Sequence, residues 1–333
     1  MKRNLILMLC TLVMCIASSA QDTTKAKAPA PKILSVETLD GSRITGTLVF
    51  EDSAQLVLLS TSIGRITIPK TVIKEVNEIT ENQFTRGQFW FKNPHSTRHI
   101  VGPTAFNLQK GEGYYQNLYL FGQSVNYGLT NHFSIGGGTE IASVIFAQEW
   151  PYVYFLTPKI GYQIGPKWHA GGGILYARLR NLVDEKNNLG IAYGVVTYGS
   201  YDNNATLGLG WGMHSNVKFD QNTLKTYRDA GISPKPIITL SGMTRITKRI
   251  ALVTENWIFS MKHENQTWDP QTQRYLYTTT ERYDGYFSYG MRFMSERNSI
   301  DFGFINNKDI AKEVYIGIPY IDFVIKFDNL KKK

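Results

Sequence analysis

From residue 103 onward the chain is cut by connections of two lengths in alternation. Short turns fall at 130–131, 165–167, 202–204, 247–249 and 295–298. Longer connections fall at 147–151, 181–188, 218–235, 263–282 and 306–313. Antiparallel barrels that cross a membrane sort their connections in this way, short at one rim and long at the other. A soluble sandwich has no reason to sort them by end. The segments between read as twelve strands: 103–110, 114–129, 132–146, 152–164, 168–180, 189–201, 205–217, 236–246, 250–262, 283–294, 299–305 and 314–327. Ten is the other count. Most have the roughly 9–11 residues that a tilted strand needs to cross a bilayer. An even number returns both ends to one rim, read here as the periplasmic one.

The side-chain period supports spanning strands. Alternate residues of a strand point to opposite faces. Within 205–213, Leu207, Leu209, Trp211 and Met213 share one face and Thr206, Gly208, Gly210 and Gly212 the other. The outward, lipid-facing set extends to Phe133, Ile135, Tyr154, Leu156, Ile160, Trp168, Ile174, Ile238 and Leu240. It continues with the odd-numbered residues Phe287 to Phe293 and with Ile300, Phe302, Phe304, Ile321, Phe323 and Ile325. The opposite face collects a lumen charge cluster: Glu140, Lys159, His169, Arg245, Arg292, Asp301, Asp322 and Lys326. An Arg or Lys among acyl chains at the midplane costs about 2–4 kcal/mol, so this segregation favours the assignment. Both signs are present, which predicts salt bridges that plug a narrow lumen. Glu255 is ambiguous, sharing a face with Val253 and Trp257. The run YGLTNHFSIGGG at 127–138 returns as YQIGPKWHAGGG at 162–173, two copies of one strand–turn–strand unit. Tyr127, Tyr162 and Trp168 flank turns, as an aromatic girdle should.

Charged residues are 19%, aromatics 13%, and glycine numbers 29, a composition that suits a β-wall not facing water. Residues 1–20 read as a secretory signal: Lys2 and Arg3, then an apolar run at 5–16 too short to span as a helix, then Ser18, Ser19 and Ala20. Cys15 as a lipidated cysteine is the lesser reading, because Met14 precedes it. Both cysteines, Cys10 and Cys15, lie in this segment, so no disulfide, Cys-based metal site or Cys nucleophile is expected downstream. No other window is apolar enough for a spanning helix. The net charge of +9 suits contact with outer-membrane lipid headgroups and lipopolysaccharide phosphates, or simply basic loops and a basic tail at 329–333.

Residues 21–32 form an Ala/Pro/Lys linker. Residues 33–79 read as a small five-strand β-domain, with Asp40-Gly41 as its first hairpin turn. Leu39-Asp40-Gly41, Ile44-Thr45-Gly46-Thr47-Leu48, Asp52 and Leu56-Val57-Leu58 resemble the first motif of Sm-like proteins, which implies an SH3-like or Sm-like barrel. The family's ligand is RNA, but Gln55 stands where the family has a base-reading Asn, and Ser62-Ile63-Gly64-Arg65 lacks the second motif's Arg-Gly order. The expected role is a periplasmic adaptor for a protein partner, with no nucleic acid. Residues 80–102 read as a connector, with the barrel at 103–328. His95 and His99 invite a metal reading, but no carboxylate is close in sequence, so they are read as solvated loop histidines.

The last strand, 320–327, alternates and ends on Phe327 with Phe323 before it. It resembles the C-terminal assembly signal of outer-membrane barrels and implies the barrel-assembly machinery as a partner. Residues 93–176 resemble an uncharacterised family of exported Gram-negative β-barrel proteins. The matching pieces are Asn93-Pro94 with Thr97-Arg98, Gly102-Pro103-Thr104-Ala105, Gly111-Glu112-Gly113-Tyr114-Tyr115, Tyr127-Gly128-Leu129-Thr130, Ile135-Gly136-Gly137-Gly138 and Leu156-Thr157-Pro158-Lys159. The resemblance implies the barrel and no mechanism.

Among chemistries, His132-Phe133-Ser134 has the His-x-Ser spacing of outer-membrane lipid hydrolases. Its inward aspect at a turn does not suit a lipid substrate. Nucleotide loops and zinc spacings are absent, and no cofactor is expected. The reading is therefore an all-β, non-enzymatic outer-membrane barrel of structural or interaction type. A narrow solute or ion channel comes second; an outer-membrane lipid hydrolase and a soluble secreted β-protein are more distant.

Overall fold

The computed structural model describes residues 32–60, 63–79, 84–85, 88–180, 186–220, 224–269, 271 and 273–327. The signal, most of the linker and the basic tail read from the sequence lie outside them. The chain divides after Trp90 into two compact units.

In the first unit, β1 (Ile33–Thr38), β2 (Arg43–Glu51), β3 (Gln55–Ser60), β4 (Gly64–Pro69) and β5 (Ile73–Ile79) form an antiparallel sheet in the order β4-β3-β2-β1-β5. The Asp40-Gly41 turn is where the sequence places it. Gly41 has φ +84°, and Asp40 accepts from the Ser42 N–H at 3.0 Å. Leu34, Val36, Leu56, Leu58 and Ile68 make the core, with Ile44, Leu48, Ile66 and Ile73 packed on it. Two short strands, β6 (Phe84–Thr85) and β7 (Gln88–Phe89), pair with each other.

The second unit is a closed antiparallel barrel. Its first strands are β8 (Gly113–Leu118), β9 (Gly122–Gly128), β10 (Phe133–Glu140), β11 (Val153–Leu156), β12 (Lys159–Gln163) and β13 (Trp168–Arg180). There follow β14 (Lys186–Gly199), β15 (Asn203–Asp220), β16 (Lys225–Ile232), β17 (Ile237–Arg245), β18 (Ile250–Asp269), β19 (Arg274–Met294), β20 (Asn298–Asn306) and β21 (Ile318–Phe327). β11 and β12 are halves of one strand, broken where Pro158 offers no N–H to the ladder; β16 and β17 are halves of another, broken around Pro234 and Pro236. The wall therefore has twelve strands, closed where β21 pairs with β8, and β9 with β10.

The expected number is met, but not by the expected strands. The segment 103–110, read as the first strand, is no strand; the barrel begins at Gly113. The segment 114–129, read as one strand, is two, β8 and β9, turning at Tyr119, Leu120 and Phe121. Tyr119 and Leu120 hold positive φ, 51° and 69°, without a Gly, Asn or Asp to announce it. Two of the long connections are not loops. β15 and β16 stay paired out to Asp220 and Lys225, and β18 and β19 out to Asp269 and Arg274.

The faces follow the alternation. Ile135, Tyr154, Leu156, Ile160, Trp168, Ile174, Leu207, Leu209, Trp211, Leu240, Phe287, Tyr289, Met291, Phe293, Ile300, Phe302, Ile321 and Ile325 are large, apolar and exposed on the outer wall. Thr197, Thr206, Ser241, Arg245, Glu255, Ser288, Arg292, Asp301 and Asp322 are buried on the inner wall. This inside-out polarity is that of a barrel immersed in lipid. Among the described residues no helix is long and apolar enough to cross a membrane.

Candidate functional site

What buries the inner charges is residues 91–112, the segment read from sequence as connector and first strand. Its backbone has no regular ladder, yet each polar group must find a partner once water is excluded. The chain folds on itself first. His99 N–H donates to Gly102 O at 3.0 Å, Thr104 N–H to Thr97 O at 3.0 Å, and Arg98 bridges Pro103. This hairpin lies in the lumen with its tip at 100–102. The wall supplies the remaining partners.

Glu255 holds the tip. Its carboxylate accepts from the N–H groups of Ile100 at 2.8 Å, Gly102 at 2.8 Å and Val101 at 3.0 Å, and from Trp257 Nε1 at 2.7 Å. Glycine at 102 eases this approach, since a Cβ there would stand 3.2 Å from the carboxylate, which would have to give by a few tenths of an ångström. Arg292, fully buried, donates through Nε and Nη2 to both oxygens of Asp301 at 2.7 Å, a bidentate pair. It also reaches the carbonyls of His95 and, at 2.5 Å, His99. Arg98 of the hairpin pairs with Asp322, and Tyr320 Oη donates to Ile100 O at 2.9 Å. Thus β18, β19, β20 and β21 grip one side of the hairpin.

The other strands hold its flanks. Lys159 Nζ, buried, donates to Thr97 O at 2.9 Å and Phe106 O at 2.5 Å. Ala105 N–H donates to Thr197 Oγ1 at 2.8 Å, and Ser134 Oγ to Asn107 Oδ1 at 2.7 Å. His169 meets the Phe106 ring edge-on at 4.7 Å. Near the short-turn rim Arg245 donates to Phe91 O at 2.7 Å and pairs with Asp202 at 2.8 Å. Lys92 and Lys326 both pair with Glu112, at 3.1 and 3.0 Å. Gly128 lets the returning chain lie flush on the wall, where a Cβ would collide with the Gln109 carbonyl.

Of the eight charges expected in the lumen, seven touch this segment or lie one contact from it. Glu140 does not. It caps the π-helical turn Ser143–Ala147 by accepting from Ser143 N–H at 3.0 Å and from Tyr152 N–H at 2.7 Å, at the opposite end of β10 from Ser134. Phe323 and Phe327, read from the sequence as an assembly signal, both fall on the outer face of β21, with Phe327 opposite Gly113. Glu255 is the lumen residue that alternation alone did not resolve; it is buried and faces inward on β18, between Val253 and Trp257.

Two sequence readings of chemistry meet the geometry here. His132 stacks on Tyr162 at 4.6 Å, and Ser134 donates to Asn107, so the pair is held apart for other partners. His95 is no solvated loop residue but fully buried, with donor atoms of Asp301 and Asp322 close by. A metal does not suit this trio. Arg98 Nε donates to His95 Nε2 at 2.5 Å, so the ring's proton sits on Nδ1, the remaining nitrogen, which then has no lone pair to give. The two aspartates are already balanced by Arg98 and Arg292.

No family model matches the sequence, and no curated protein matches it. Among solved structures the chain is similar to the NanC porin, at 7% identity over 65% of this chain and 97% of that one, with TM-score 0.35. It is similar to the toluene transporter TbuX of Ralstonia pickettii, at 8% identity over 71% and 95%, TM-score 0.35. It is also similar to a loop-deletion mutant of OmpT, an outer membrane protein of Vibrio cholerae, at 8% identity over 89% and 97%, TM-score 0.31.

Proposed function

We propose that this chain is an outer-membrane barrel of structural or interaction type, closed by its own segment 91–112. Its first unit serves as a periplasmic, Sm-like adaptor for a protein partner. The carrying observation is the network that fastens the hairpin. Backbone donors are saturated by Glu255, carbonyls by Arg292 and Lys159, and the charges pair across the wall. A barrel built to pass solutes continuously would not spend its inner charges on its own backbone. In this reading the outer wall meets lipid and lipopolysaccharide, Phe323 and Phe327 meet the barrel-assembly machinery, and no reaction, cofactor or nucleic acid is involved.

A gated narrow channel is the second reading. It rests on the polar character of the grip, since hydrogen bonds exchanged with water cost only about 0.5–1.5 kcal/mol each net. One pair of measurements separates the two. Deleting residues 93–110 leaves all twelve strands. The variant should still migrate faster unboiled than boiled, and should show conductance steps in planar bilayers. The full chain should show the same heat shift with no steps. Spontaneous opening of the full chain would favour the gated channel, and a soluble protein without heat shift would defeat both.

A further inference from the structure

A lumen that meets water is lined with polar groups. Around the hairpin this barrel obeys the rule, but beyond the hairpin tip, toward the long-connection rim, it does not. Inward positions of β14, β17 and β18 there carry Ile191, Tyr193, Val195, Ile237 and Trp257, and the tip offers Val101, about half exposed, as floor. These side chains line an apolar recess that opens into the lumen.

Three details argue that the recess is kept open and apolar. Gly208 and Gly210 face it. A Cβ at Gly210 would stand 3.0 Å from the Ile191 side chain, and one at Gly208 would collide with Thr239 Oγ1, so side chains there would fill the space. The Trp257 N–H, the natural polar handle of an aromatic wall, is already spent on Glu255 at 2.7 Å. No charged residue lines the recess.

We propose that this recess binds one small uncharged apolar molecule, entering from the long-connection rim and stopping on the hairpin tip. Burial of apolar area supplies the affinity, and the absence of charge in the lining rejects ionic solutes. The proposal is separate from the structural role above: the hairpin can close the barrel whether or not the recess is filled.

The test is a titration of fluorobenzene, followed by ¹⁹F NMR, into the full chain in lipid nanodiscs and into empty nanodiscs. The expected result is a saturable component of one site per chain above linear partitioning into lipid. In Val101→Trp, which fills the recess from the floor and leaves the backbone bonds to Glu255 in place, binding should weaken at least tenfold. Ile237→Trp should do the same from the wall if the first variant loses its heat shift. A purely linear response, identical in wild type, variants and empty discs, would overturn the site. Saturable binding of octanoate without binding of fluorobenzene would overturn the uncharged class.

Discussion

Glu255 shows what one residue does here. Its carboxylate is the sole acceptor given to three successive backbone N–H groups, and leaving a buried donor unpaired costs about 1–3 kcal/mol. Glu255→Ala should speed hydrogen exchange at 100–102 tenfold or more, about 1.4 kcal/mol per tenfold, with the wall strands unchanged. Glu255→Gln, which keeps an acceptor oxygen, should fall between. In the sequence this residue looked ambiguous because alternation reports a face and not a partner, and the partner is backbone some 150 residues away. His95 was misplaced for the same reason: its carboxylate neighbours come from β20 and β21. At the surface of the first unit, Glu37 accepts from Lys74 at 2.5 Å and Arg43 at 2.8 Å. The Lys74 hydrogen bond, then that of Arg43, hold its carboxyl down to about 2 from 4.5. A carboxyl depressed in the folded state stabilises fully above the unfolded value, and the contribution fades as pH falls from about 4.5 to about 2. Protection of the β1 and β2 amides, relative to the intrinsic exchange rate at each pH, should therefore fall as pH drops through that window, and less steeply in Glu37→Gln.

At the scale of elements, what the sequence made legible was whatever has a period. β13, β15, β17 and β20 were found close to their limits, because apolar and small or polar residues alternate without interruption. The hairpin in the lumen has no period, and its Asn, Pro, His and Ser read as a solvent-facing connector. Such a composition suits water and a polar lumen equally. The β8–β9 turn was missed for a sharper reason, since Tyr119, Leu120 and Phe121 carry the side chains of a strand. Leu120 holds φ 69°, a left-handed conformation costing a non-glycine residue roughly 1–2 kcal/mol. Leu120→Gly should relieve part of that, about 0.5–1 kcal/mol after glycine's own entropy. A small rise in the urea midpoint of barrel unfolding would register it; a fall would mean that the Leu120 side chain does more than occupy a turn.

For the whole molecule, the barrel's polarity is its largest constraint. Leu207 faces outward on β15 and Thr206, beside it, faces in. Leu207→Arg should cost about 2–4 kcal/mol if it lies near the midplane, lowering the temperature at which the heat shift is lost. Thr206→Ser, on the inner wall, should leave that temperature nearly unchanged. The order of the parts along the chain also matters. The hairpin precedes every strand of the wall, and the wall is closed by the pairing of its last strand, β21, with its first, β8. β21 carries Asp322 and Tyr320, which hold Arg98 and Ile100 of the hairpin. The seam therefore closes around a segment made long before it, and that segment contributes partners to the closing strand. A chain whose hairpin has strayed would present its final strand with two buried polar groups deprived of these hairpin mates. The barrel thus carries an internal check on its own birth, made at the last seam.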